Sequence, residues 1–369
     1  MTTRFDNWSS RHCLTALILL GLVLLASVMF SARSTEMPGS QPTVERAPAV
    51  ASAASDERMS DVKVYRRVTA AVANGEGYYP VVAREHRLHN YPLKPYFTIR
   101  PPTLAWFSAS LGPTGIRIAL FALIGLTVMV WLEAFRSIGG TPLVQYAAFG
   151  LLAESAFVFS LNPFMYFHES WAALLMALSI ALRRPDRFGL SITAGLAAVL
   201  FRELALPYLL MMAVLAAYEK CWREACGWSV AIALAVVAQV LHANAVATVV
   251  IASDPASQGW SGLGGWSFFL TAANNSSLLE LLPMWVSAVV VPFSLFGWIA
   301  WRSVIALRVV GLMLGYATLL MLFARPDNIY WAILIEPFLL AGLSLGAAGV
   351  WQLWQGSQLT VGRHIAAAQ

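Results

Sequence analysis

Asp61 and Tyr65 stand one helical turn apart near the start of Ser60–Phe107, the one long segment that mixes charges, aromatic residues, Gly and Pro. A carboxylate in that place can take a proton from an acceptor nucleophile or hold a divalent ion. It can equally serve as an acidic first-turn residue beside Ser60, favoured by the helix dipole. Arg100-Pro101-Pro102 sets a planar guanidinium on rigid backbone, with Arg87 and Lys94 close in sequence. That combination suits a phosphate group or, with equal force, lipid headgroups. Tyr78 and Tyr79, and the aromatics between Tyr91 and Pro102, suit stacking on sugar rings or an ordinary interfacial belt.

Three further charged groups interrupt apolar sequence. His168-Glu169 opens a short apolar run, where the helix dipole favours the acid, yet a carboxylate at membrane depth is costly unless it faces protein or water. Arg202-Glu203 separates two apolar runs; the pair either neutralises itself or presents Arg202 to a phosphate with Glu203 orienting it. Arg325 follows the run ending in Ala324, so it either joins Arg202 as an anion clamp or snorkels to the interface. His242, Asn244, Glu154 and Glu336 lie inside apolar runs and are expected to bond neighbouring helices.

The elements that must position these residues are apolar. Of 369 residues, 59% are hydrophobic and 12% charged, against about a quarter charged in soluble domains, which makes this a polytopic membrane protein. Ten apolar runs stand out: Leu14–Phe30, Ile116–Phe135, Pro142–Leu161, Ser170–Leu182, Phe188–Phe201, Leu204–Tyr218, Gly227–Ile251, Leu282–Trp301, Ser303–Ala324 and Ile329–Ala348. Several fall short of the roughly 20 residues of a perpendicular span. Arg4 and Arg11 before the first run give the pattern of a signal peptide or of an N-in anchor; its 17 residues and the lack of a clean small-x-small site before Arg33 favour a retained anchor. Arg136, Arg183, Arg184, Arg187, Lys220, Arg223, Arg302 and Arg363 then fall on the cytoplasmic side. The chain reads as one all-α membrane domain: a first helix over 14–30, an extracytoplasmic loop over 31–115, the remaining bundle over 116–348 and a cytoplasmic tail over 349–369.

Within the loop, residues 35–55 read as a flexible spacer. Asp61–Val72, with Val64, Val68 and Val72 four apart, reads as an amphipathic helix lying on the membrane. A turn at Asn74-Gly75-Glu76-Gly77, irregular backbone over Tyr91–Pro102 and a short interfacial helix at Thr103–Leu111 follow. Cys13, Cys221 and Cys226 have no zinc spacing and no disulfide pattern. There is no GxxxxGK[ST], HExxH, GxSxG or DxD in the sequence, which argues against an ATP-driven pump or a zinc protease.

Asp61-Val-Lys-Val-Tyr65, Gly77-Tyr78-Tyr79, Arg100-Pro101-Pro102, the stretch Gly195–Arg202 and the stretch Arg325–Pro337 together resemble the GT-C superfamily of integral membrane glycosyltransferases, across most of the chain. The resemblance implies inverting transfer of a sugar from a polyprenyl-phosphate-linked donor at the extracytoplasmic face of a bacterial inner membrane. It implies Asp61 as general base, Arg202 and Arg325 on the donor phosphate, and the first outer loop as the floor of the site. Tyr65, Tyr78, Tyr79, Arg100, His168, Glu169 and Glu203 complete the expected substrate-binding set. A divalent cation, Mg or Mn, is used by some members and not by others; no metal ligand is assigned here and no nucleic-acid partner is expected. The competing readings are a lipid-linked sugar transporter or flippase, which needs a polar path through the membrane interior, and a structural envelope protein, in which Asp61 is dispensable.

Overall fold

The computed structural model describes residues 3–32, 61–138, 141–260 and 262–366. The 35–55 spacer lies outside them. The apolar runs fold as helices, and among the described residues no strand forms, only isolated bridges. In chain order the helices are α1 (Ser10–Ala32), α2 (Asp61–Ala73), α3 (Tyr78–Leu88), α4 (Thr103–Ile138), α5 (Pro142–Ser160), α6 (His168–Leu182), α7 (Gly189–Phe201), α8 (Leu206–Tyr218), α9 (Trp222–Ala247), α10 (Gly265–Asn275), α11 (Met284–Ala300), α12 (Val304–Leu322), α13 (Glu336–Leu339) and α14 (Gly342–Ala366). Short 3-10 turns at Tyr96–Thr98, Asn162–Tyr166, Glu203–Ala205, Leu278–Leu281 and Pro326–Ile335 join some of them.

Among the described residues, α1, α4, α5, α9 and α12 are long and apolar enough to cross a membrane, and the bent pair Pro326–Leu339 plus Gly342–Gln358 makes six if it counts as one span. Their outward faces agree. Leu14, Ile18, Leu22, Leu25 and Met29 form an exposed apolar stripe along α1, and Val230, Leu234, Val237 and Leu241 do the same along α9. Stripes of that length oppose water and suit hydrocarbon. The apolar helices α6, α7, α8 and α11 run only 13–17 residues. At about 1.5 Å per residue, even 17 residues reach roughly 25 Å, less than the ~30 Å hydrocarbon core.

Two expected elements come out differently. The run Ile329–Ala348 does not form a straight helix: a 3-10 turn, α13 and α14 succeed one another with a 56° bend. Pro326 and Pro337, which lack an amide hydrogen, account for helix starts at those points. The stretch between the Gly227–Ile251 and Leu282–Trp301 runs, which holds none of the ten apolar runs, contains α10 and a 3-10 turn. The interfacial helix and the span after it are drawn as one helix, α4, broken at Gly112, whose φ of 68° is the left-handed region that glycine tolerates and side chains resist.

The chain gathers into two compact units. One comprises residues 1–42, 128–156 and 261–369. Its α1, α11 and α14 pack together, and Gly297 of α11 lies so close to Gly342 and Gly346 of α14 that a Cβ there would meet the Gly342 carbonyl. Small residues let helix backbones approach, the usual packing device where lipid removes the hydrophobic drive. Trp131, Phe135, Trp298 and Phe338 stack around it, and Trp298 Nε1 donates to the Phe338 carbonyl at 3.0 Å.

The other unit comprises residues 43–127 and 157–260. Here α6 packs on α7, and α8 on α9. Tyr208 donates to Ser179 Oγ at 2.6 Å and Ser179 to the Ser191 carbonyl at 2.5 Å, tying three helices inside apolar surroundings. The valine face of α2 is covered by protein: Val64 and Val68 are buried against Tyr78, Val81 and Val82 of α3. The expectation of a helix lying with that face on the membrane is corrected accordingly.

Candidate functional site

In this second unit, helices α2 and α3 and the start of α6 enclose a small cavity. Tyr65, Val68 and Thr69 of α2 line it, and Tyr78, Val82 and His86 of α3, four residues apart, present one stripe to it. Arg100, Leu104, Ala105, Tyr166 and His168 complete the wall. Its volume of about 20 Å³ admits a group of about one water's size, since a water needs ~10–15 Å³ on that measure. Arg66 lies over the Tyr166 ring, 4.9 Å from its centre.

His168, the first residue of α6, is 4% exposed. Its ring meets Tyr65 edge-on at 5.1 Å, and neither ring nitrogen has a hydrogen-bond partner among the described residues. The charges of Arg100 and Arg202 both act on it. Tyr78 donates its hydroxyl to the Arg100 carbonyl at 2.7 Å, which fixes the backbone that aims the guanidinium. Burial pushes the Tyr78 hydroxyl's pKa up, so it stays protonated and serves as a donor.

Behind His168 lies a buried charge cluster. Arg202 Nε sits 2.5 Å from Glu169 Oε1, both residues 1% exposed, and the Arg202 guanidinium also pairs with Glu203. An arginine in such surroundings is held by its carboxylate partners.

The sequence-expected residues therefore separate. Tyr65, Tyr78, Arg100 and His168 line one cavity, with Glu169, Arg202 and Glu203 paired beside His168. Asp61 is half-buried and accepts the Tyr91 hydroxyl at 2.7 Å; it does not line the cavity. Tyr79 does not line it either, and its hydroxyl meets His242 Nδ1 at 3.1 Å. His242 Nε2 faces the Ile99 carbonyl at 3.0 Å, so it carries the proton, and Nδ1 accepts from Tyr79. Arg325 belongs to the other unit, where its Nη2 bonds Asp327 at 3.0 Å at the start of the Pro326–Ile335 turn. Arg87 and Lys94, possible phosphate ligands by sequence, hold the segment after α9: Arg87 pairs with Asp254 at 2.8 Å, and Lys94 Nζ donates to the Ala252 carbonyl at 2.9 Å.

Sequence reasoning missed His86 and Tyr166. The signal for His86 was present in the spacing Tyr78, Val82, His86, which places it on the helix face that carries Tyr78. Tyr166 belongs to a 3-10 turn that hydropathy does not mark.

Elsewhere in this unit, Glu219, Cys221 and Glu224 gather within 4.8 Å. Arg183 already occupies the group, its Nη2 lying 2.7 Å from both Glu219 and Glu224. Compared with known proteins, the chain matches no family model, no curated protein and no solved structure.

Proposed function

We propose that this chain is a membrane glycosyltransferase that moves a sugar from a polyprenyl-phosphate-linked donor to an acceptor at the extracytoplasmic face of a bacterial inner membrane. The apolar stripes on α1 and α9 support residence in a bilayer. The orientation and the count of about ten spans rest on the distribution of Lys and Arg and on the apolar runs.

The observation that carries the reading is the meeting of Tyr65, Tyr78, Arg100 and His168, distant in sequence, in one cavity beside the Glu169–Arg202 pair. A lipid-phosphate leaving group gains negative charge as the sugar departs, and a guanidinium with an imidazole beside it is suited to that charge. Arg100 is the cationic side chain lining this cavity, whereas Arg202 is engaged by Glu169 and Glu203. The cavity itself admits a group of hydroxyl size, as an acceptor hydroxyl requires, and the tyrosine rings of its wall supply flat apolar faces.

A glycan profile of cells carrying wild type or Arg100→Ala at matched membrane levels tests the proposal. Loss of the product with Arg100→Ala is expected. An unchanged profile removes the enzyme reading.

The second reading, a lipid-linked sugar transporter, draws on one observation in the other unit: Glu154 and Glu336 act on each other within apolar helices, as a polar path would require. The polar groups of the cavity favour the transferase.

A further inference from the structure

Of the two imidazoles that line the cavity, His86 is the one whose ring a backbone carbonyl orients. Its Nδ1 lies 3.0 Å from the Pro92 carbonyl. A carbonyl only accepts, so Nδ1 carries the ring proton, and Nε2 keeps the lone pair. The ring also packs at 5.5 Å against Tyr91, whose hydroxyl is donated to Asp61 Oδ1. Asp61, Tyr91 and His86 therefore form a relay of contacts that ends at the cavity wall, with the carboxylate at its far end.

We propose that His86 Nε2, and not the Asp61 carboxylate, is the proton acceptor of this cavity, and that Asp61 is a positioning residue acting on His86 through Tyr91. The proposal rests on the transferase reading above and names the base in it. In the transfer step the acceptor hydroxyl gives its proton to His86 Nε2 as its oxygen bonds to the anomeric carbon of the lipid-linked donor. The bond from that carbon to the phosphate oxygen breaks, and its electron pair leaves with the lipid phosphate. Imidazole becomes imidazolium, and the negative charge of Asp61 helps to hold it.

The surroundings suit that role. Burial holds the His86 imidazole below its ordinary pKa, so it is neutral and basic at neutral pH; the Pro92 carbonyl and the Asp61 charge work against that shift, and Arg100 reinforces it. The titratable and charged groups that face it are Asp61 and Tyr65 from α2, Tyr78 from its own helix, Tyr91 and Arg100 from the following segment, and Tyr166 and His168 beside α6. Asp61 is the acidic one of these, so its removal must lower the His86 pKa.

The experiment compares His86→Gln, Tyr91→Phe and Asp61→Asn by glycan output across pH at matched membrane levels, and follows ¹⁵N-labelled histidine by NMR in the purified full chain. His86→Gln should lower output on the order of 10²–10⁴-fold, the usual worth of a general base. Asp61→Asn and Tyr91→Phe should retain part of the output, and Asp61→Asn should move the acid limb to lower pH. The NMR signal that disappears in His86→Gln should show the Nδ1–H tautomer and a midpoint that falls in Asp61→Asn. Wild-type output from His86→Gln with an inactive Asp61→Asn would make Asp61 the base and overturn the proposal, as would an Nε2–H tautomer or an unmoved midpoint in the NMR, which decides even where His86→Gln fails to fold. If these variants and Arg100→Ala all leave the glycan unchanged, the transferase reading itself fails.

Discussion

Each of the two units buries acidic side chains among apolar helices, and each deals with the charge differently. Glu169 is met by a guanidinium, with Glu203 on the same Arg202. In the other unit Glu154 and Glu336 meet each other: Glu154 accepts the Leu278 amide at 2.8 Å, and among the described residues no nitrogen donor reaches either Glu336 oxygen. The first arrangement keeps formal charges next to the cavity, where they can act on a ligand. The second leaves two acids acting on each other with no cation between them among the described residues, in a polar pairing of α5 with α13. A buried acid in such a chain thus points to a site when its ion pair lies beside a cavity, as the Glu169–Arg202 pair does next to His168.

The largest expected effect comes from removing the counter-charge. Arg202→Ala should destabilise the protein by about 3–5 kcal/mol by stranding a buried carboxylate, read as a lowered thermal unfolding midpoint in detergent. Combining Arg202→Met with Glu169→Gln should recover most of it. An unchanged midpoint for Arg202→Ala would erase the distinction between the two units. Next comes Gly297→Ala, whose new Cβ would meet the Gly342 carbonyl backbone. Overpacking of this kind costs ~1–3 kcal/mol, again visible as a lower midpoint.

Glu336→Gln should cost less than about 1 kcal/mol, because no cation is left stranded and the neutral amide can donate to Glu154. A loss as large as that of Arg202→Ala would mean that Glu336 is ionised, and the contrast would collapse. The smallest effect concerns an ion pair in which Arg87 is exposed and Asp254 is buried. Arg87 lowers the Asp254 carboxyl from 3.8 to about 2, with help from the Ile251 amide. Since the folded-state value is the lower one, the contribution is complete above about pH 4 and is lost as pH falls towards 2. Pepsin should therefore cut the 249–257 segment more readily at pH 2 than at pH 4, and Asp254→Asn should expose it to proteases at neutral pH as well.

Much of the helical scaffold was legible because apolar runs bounded by Arg, Pro and Gly can only be helices in lipid. The head of α2, the turn with Gly75 at φ 92° and the starts of α6 and α12 lie where the sequence puts them, within a residue or two. The valines of α2 show the limit. Their spacing reveals that a face is covered, but not whether lipid or protein covers it. The same limit applies to charge: sequence marks Arg202 and Arg325 as cations at helix ends, while only the fold shows that Glu169 and Asp327 take up part of that charge. Arg100 and His86, by contrast, gain their significance from partners that lie off their own elements, the Tyr78 hydroxyl 22 residues before Arg100 and the Asp61–Tyr91 contact beside His86.

The break at Gly112 has a use beyond permitting a bend. Leu104 and Ala105, two wall residues of the cavity, ride on the short arm before it, while the long apolar arm lies after it. Rotating two dihedrals at a residue without a side chain would re-aim that wall and leave the hydrogen bonds of either arm intact. Adjusting the depth of this recess to a bulkier ligand would then require change at one pivot instead of a redesign of its lining.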